Sequence, residues 1–153
     1  MVTDIDLGWF AGIVDGEGCI TIINPKHHEG KTAVYTPLII IGSTSVELIE
    51  KVARIGCELT GSRANISHRV NHKGFKDQYD WQVVSRMAAS LAEKLLPHLT
   101  AKLEQAKLLT DYYHSPRRYG WYSSPGSEEM ARRKILAERI RELNGGRNPI
   151  KYF

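Results

Sequence analysis

At 153 residues, 42% of them hydrophobic and 25% charged, the chain is long enough to bury one real core and too short for two, so a single domain is expected over 1–153. Lys and Arg number 21 against 17 Asp and Glu, a net charge of +4, which favours a polyanionic partner without identifying one. Cys19 and Cys57 stand far apart and outside any C-x-x-C pair, which argues against a disulfide framework or a zinc ribbon. No stretch reaches the roughly 18 apolar residues of a membrane span, and MVTDIDLGWF lacks a basic region followed by an apolar run. A soluble, intracellular protein is expected, its organelle or host compartment left open.

Thr3 and Asp4 are good N-cap residues, and the apolar run that follows is broken by Gly16 and Gly18, which predicts a buried helix from about 4 to 16. CITIINPKHH and AVYTPLIIIGS, rich in β-branched residues and separated by HEGK, read as a first hairpin. Thr44 or Ser45 caps a second helix, VELIEKVARIG, with Val46, Ile49, Val52 and Ala53 as its apolar stripe and Gly56 as its stop. SRANISHRVNH and KDQYDWQVVSR form a second hairpin around Gly74. MAASLAEKLL and AKLEQAKLLTDYYH are helical with a break at Pro97. A Pro-, Tyr- and Arg-rich loop over 115–126 leads to a capped C-terminal helix ending at Gly145. The order is helix, hairpin, helix, hairpin, helices: an α+β fold with an antiparallel sheet and helices on one face. The core is expected over about 4–114, with a C-terminal loop and helix over 115–153.

In the first helix Gly8, Gly12 and Gly16 recur every four residues and share a face, where each costs roughly 1 kcal/mol against alanine. Close packing of a partner helix offsets that cost, and packing against the chain's own sheet does so equally; taken alone, the spacing favours the intramolecular solution. Asp15 and Glu17 sit at the helix C-terminus, where the dipole disfavours anions. Two such helices side by side would gather two Glu17 carboxylates and nearby backbone carbonyls into an oxygen cluster suited to Mg²⁺. The plainer reading of Glu17 is a solvated turn residue.

FAGIVDGEG, Phe10 to Gly18, resembles the signature of the LAGLIDADG homing endonucleases, with Glu17 at its final acidic position. The departures are Phe10 at the start, Gly16, and Glu17 where many members carry Asp; the longer side chain alters metal geometry slightly. The resemblance extends to LPHLTAKLEQAKLL, where Lys102 matches a basic residue near the cleavage centre, and covers about 5–112. It implies an αββαββα core with an antiparallel saddle over DNA and additional C-terminal helices. A single motif implies a homodimer, its interface made by the motif helices through Gly8, Ala11, Gly12 and Asp15.

On this resemblance Glu17 and the Gly16 carbonyl bind Mg²⁺, with Mn²⁺ or Ca²⁺ as substitutes in binding, and Lys102 offsets charge in the transition state. Both strands of a long pseudo-palindromic duplex would be hydrolysed to short 3′ overhangs with 5′-phosphate and 3′-hydroxyl ends. Asp15 is expected to cap or to bond across the helix interface rather than take part in chemistry. The sequence departs from the pattern at GSTSVE, where Ser43, Thr44 and Ser45 replace a Gln and a basic residue that some relatives carry. An intron RNA maturase and a non-cleaving DNA-binding regulator of the same fold are the alternatives.

In the third strand Arg63, Asn65, Ser67, Arg69 and Asn71 alternate with less polar residues, and in the fourth Gln78, Asp80 and Gln82 oppose Tyr79, Trp81 and Val83. Period two puts each polar set on one face, which could read DNA. A wet sheet face is the rival reading. Thr21, Ile23, Lys26, His27, His28 and Lys31 are candidate contacts in the first hairpin, and the faces of PLIIIG stay unassigned. Arg117 and Arg118, interleaved with Tyr119, Trp121 and Tyr122, suit phosphate contact or a loop packed on the domain. The charges of the C-terminal helix read as a mostly solvated face. The six histidines show no zinc-ligand spacing with either cysteine.

Overall fold

The computed structural model describes residues 1–24, 34–63, 65–114 and 126–146. Helix α1 runs Asp4–Glu17 and opens on a capping box: the Thr3 hydroxyl accepts from the Asp6 amide at 3.2 Å, and the Thr3 amide donates to the Asp6 carboxylate at 3.1 Å. This satisfies two otherwise orphaned donors at the helix start. Strands β1 (Gly18–Ile23) and β2 (Thr36–Ser43) pair antiparallel, and the predicted turn between them lies outside the described residues. Helix α2 (Val46–Thr60) follows, capped by the Ser45 hydroxyl on the Leu48 amide.

Strands β3 (Ile66–Arg69) and β4 (Gln78–Val84) form the second hairpin, with β4 inserted beside β2 to give the sheet order β1-β2-β4-β3. The chain enters helix α3 (Ser85–Leu95) directly from β4 through Ser85, whose φ of 57° is the one left-handed non-glycine among the described residues. A 3-10 turn, Leu96–His98, separates α3 from α4 (Leu103–Tyr113), and α5 (Ser127–Leu143) closes the chain. The α+β expectation, the antiparallel sheet and the additional C-terminal helices are borne out. No helix among the described residues is long and apolar enough to cross a membrane.

Register explains the core. Ile20, Ile39 and Val83 are paired in a row across the sheet, and so are Gly18, Ile41, Trp81 and Ile66. These side chains point to one face, where Phe10 and Val14 of α1, Ile49 and Val52 of α2, Leu91 and Leu95 of α3, and Leu109 of α4 bury them in one continuous cluster. Phe10 meets Trp81 edge to face with centroids 5.8 Å apart, a favoured aromatic geometry. The same pairing assigns the strand that the sequence left open: Ile39 and Ile41 face the core, while Leu38, Ile40 and Gly42 lie on the opposite face with Thr21, Asp80 and Gln82.

Two element boundaries are corrected. Helix α2 does not stop at Gly56 but continues to Thr60 and ends at Gly61, which is left-handed at φ 70°. That C-terminal conformation is the one glycine favours. Gly56 is instead buried under the Trp81 ring. Strand β3 is only four residues long, so Arg63 and Asn65 precede it and Asn71 follows it.

The C-terminal helix is bound to both the sheet and α4. Asn144, just past α5, donates from Nδ2 to the Ile20 carbonyl at 2.9 Å, covering the free edge of β1. Glu129 is buried and accepts from Arg132 and Arg133, while Arg132 also donates to the Asp111 and Tyr112 carbonyls at the end of α4. The Glu129 carboxyl lies at about 2, held down chiefly by its hydrogen bond from Arg132. Arg132 thus caps α4 while neutralising a buried carboxylate.

Candidate active site and nucleic-acid face

The C-terminus of α1 meets the N-terminus of α4. Asp15 accepts from the Thr100 amide at 2.7 Å on one oxygen and from the Lys102 amide at 2.9 Å on the other. The Lys102 ammonium donates back to the Asp15 carbonyl. Partial burial opposes ionisation of Asp15, but the amides of Thr100, Lys102 and Ala101 outweigh it and lower the pKa. The dipole conflict seen at this helix end is therefore relieved for Asp15 by the amides that open α4, and Lys102 supplies the positive charge that the last turn of α1 lacks. Cys19, just beyond, is pushed up to about 11 by its burial, with Lys102 pulling the other way.

Glu17 differs from Asp15 in every respect. It is exposed, and no hydrogen bond or ion pair engages it among the described residues. Those residues also contain no group of three or more His, Cys, Asp or Glu able to hold a metal. Among the described residues Glu17 is thus an unengaged carboxylate at the end of α1.

The glycine face of α1 leads to that carboxylate. Gly8, Gly12 and Gly16 are exposed, and a Cβ added at any of them would meet nothing within 4 Å. Ile5, one turn earlier, is 84% exposed. The intramolecular packing that the glycine spacing by itself favours is not found among the described residues, whose sheet and helices leave this face bare. Two residues expected beside the glycines are turned elsewhere. Ala11 is fully buried in the chain's own core, because it lies about 100° round the helix from Gly12, on the side that carries buried Phe10 and Val14. The Asp15 carboxylate is committed within its own chain.

On the sheet face away from the core, Ser67 and Arg69 on β3 share a side with Gln78, Asp80 and Gln82 on β4. Ser67, Arg69 and Gln78 are exposed and Gln82 is half-buried; Arg63, Asn65 and Asn71 are exposed at the ends of β3, and Ile23 is half-buried at the end of β1. The expectation of open polar positions is corrected at two places: Thr21 is 4% exposed and Asp80 only 5%. Period-two alternation identifies the face but not how deeply each position sits in it. Lys26, His27, His28, Lys31, Arg117 and Arg118 lie outside the described residues.

Gly42 was missed in the sequence. It faces Asp80 across the β2–β4 ladder, and a Cβ there would stand 2.4 Å from Asp80 Oδ1 and 2.7 Å from Gln78 Nε2. A glycine within an otherwise β-branched strand is the signal that marks such a close approach.

The geometry is that of an α+β protein with a polar strand face, a bare helix face and an unengaged carboxylate where that helix ends. No family model matches the sequence, and no curated protein matches it. Solved structures do match. The homing endonuclease I-CvuI, in complex with the I-CreI target in the presence of Mg, is 20% identical over 97% of this chain and 86% of its own, with a TM-score of 0.70. The archaeal intron-encoded homing endonuclease I-Vdi141I, complexed with DNA, is 15% identical over 98% and 90%, with a TM-score of 0.69. The LAGLIDADG homing endonuclease I-GzeII, in complex with its DNA target, is 13% identical over 93% of this chain and 44% of its own, with a TM-score of 0.57. The chain has the LAGLIDADG homing endonuclease fold.

Proposed function

We propose that the protein is a site-specific homing endonuclease that acts as a homodimer on duplex DNA. The observation that carries this reading is the bare Gly8–Gly12–Gly16 face of α1 ending at the free Glu17. A helix that forgoes about 1 kcal/mol at each glycine, and presents the resulting flat backbone to nothing among the described residues, is suited to a close helix partner. A second copy is the partner that symmetry supplies, since the same face then serves both sides. Exposed Ile5 extends the contact, and the two Glu17 carboxylates converge at one end of it. The likeness of fold to DNA-bound homing endonucleases supports DNA as the substrate.

Glu17 and the Gly16 carbonyl are hard oxygen donors, which suit Mg²⁺; that I-CvuI complexes with DNA were solved in the presence of Mg or Ca supports use of a divalent ion. When bound, the metal supplies Lewis-acid activation of water and neutralises charge at the phosphate. The chain's own contribution is positional and electrostatic. Lys102, tied to the Asp15 carbonyl, sets a fixed positive charge at the same helix end, where phosphodiester cleavage builds negative charge. Asp15 holds α4, and with it Lys102, in register with α1. The exposed polar residues of β3 and β4 read base edges in the major groove, so that a dimer recognises a pseudo-palindromic site and cuts both strands to leave short 3′ overhangs.

The test is cleavage of a duplex library with Mg²⁺ by wild type and by Glu17→Gln, sequencing the cut ends. Specific cuts with 3′ overhangs that vanish in the variant are expected. If neither protein cuts while tight duplex or intron RNA binding persists, the reading as a nuclease is lost.

A further inference from the structure

Asp80 is a carboxylate 5% exposed on the polar sheet face, and it holds two neighbours that project further out. Arg69 Nε donates to Asp80 Oδ2 at 2.9 Å, and Arg69 Nη2 lies 2.7 Å from the same oxygen. Gln78 Nε2 donates to Oδ1 at 3.1 Å. Gly42 makes the arrangement sterically feasible, because any side chain there would collide with both Asp80 and Gln78. The Arg69 side chain itself is 53% exposed.

The pairing constrains what Arg69 can do with a nucleic acid. A cation that grips backbone phosphate binds by displacing counterions. Arg69 is already neutralised by a carboxylate in contact with it, so its net electrostatic return from a phosphate is small. Its hydrogen-bonding capacity is not exhausted. A guanidinium has five N–H donors in a rigid fork, and Asp80 takes the Nε edge only. The outer Nη1–Nη2 end keeps a parallel pair of N–H groups, the pattern that matches guanine O6 and N7 in the major groove. A fork fixed before binding also loses less side-chain freedom on contact.

We propose that Arg69 specifies a guanine at one position of each half-site, and that Asp80 acts as its positioning residue rather than as a DNA contact. This rests on the reading of the sheet as a DNA-recognising surface.

Selection from a randomised duplex library by the full-length protein, followed by the salt dependence of binding to the selected duplex, tests it. Wild type should select a guanine at one position per half-site with discrimination on the order of 10- to 100-fold. Arg69→Ala and Arg69→Lys should both lose that preference while other positions and the log K against log salt slope stay unchanged. Asp80→Asn should flatten the same position alone by about tenfold. Arg69→Lys, at an exposed site, keeps the charge without the fork and so separates recognition from folding. An Arg69→Ala profile identical to wild type with a slope smaller by about 0.9 per site would make Arg69 a phosphate contact and overturn the proposal. An Asp80→Asn protein that keeps a sharp guanine preference would overturn the role of Asp80. A wild-type protein that selects no sequence at all would remove this inference together with the proposed function, which distinguishes that failure from the other two.

Discussion

A β-carbon on Gly56 would stand 2.4 Å from Cζ2 of Trp81, so α2 rests on the indole through bare backbone in the centre of the core. Gly56→Ala is expected to destabilise the protein. The overpacking costs about 1–3 kcal/mol, offset in part by roughly 1 kcal/mol of helix propensity. Urea unfolding should show a lower midpoint at an unchanged slope; an unchanged or raised midpoint would mean that Trp81 yields without cost.

Gly12→Leu addresses the opposite situation, a glycine whose added β-carbon meets nothing among the described residues. The isolated chain should gain up to about 1 kcal/mol from helix propensity, while a helix partner across that face would be pushed away. Sedimentation equilibrium should report a dimer for wild type and a folded monomer for the variant. Equal association of the two proteins would place the dimer contact elsewhere.

Asp15 links α1 to α4 through amides that favour its ionised form. Its carboxyl is lowered from 3.8, so the stabilisation is fully present above that value and is lost as pH falls through the lower folded-state value. Asp15→Asn should cost about 1 kcal/mol at neutral pH, in the range of a lost helix cap, and the deficit should shrink in acid. Thermal unfolding across pH 7 to 3 reads both effects. A deficit independent of pH would show that the amide bonds, not the charge, carry the contact.

Glu129 makes the corresponding link for α5. Its carboxyl is lowered from 4.5 to about 2, so its contribution is complete above 4.5 and disappears between there and about 2. Glu129→Gln should cost about 2 kcal/mol at neutral pH, the scale of charge-assisted hydrogen bonds, and leave an acid limb less steep than wild type in that window. Hydrogen exchange should then report loosening of α5 before the sheet. Uniform loss of protection across the whole chain would instead tie α5 to the global unfolding unit.

Much was readable in the order of residues. Thr3 with Asp6 marks the start of α1, Gly145 the end of α5, and the β-branched runs the two hairpins, because capping and period-two patterning act between near neighbours. The row of Gly8, Gly12 and Gly16 and the carboxylate at Glu17 were legible for the same reason. The faces of Leu38–Ile41 were not, since four successive apolar residues carry no period; only pairing with Val83 and Trp81 assigns them. Gly56 resembled a helix stop because its ring partner is 25 residues away in the chain.

The sequence by itself determined which segments are helix or strand and which strand positions share a side, since those follow from backbone geometry and local side-chain chemistry. Tertiary structure decided who meets whom: that Asp15 belongs to Thr100 and Lys102 and Glu17 to no group among the described residues, that Ala11 turns inward from the glycine row, and that Asp80 lies buried beneath Arg69. These contacts depend on strand register and on how α4 docks against α1, which bring together residues as far apart as Asp15 and Lys102 and which no local pattern encodes.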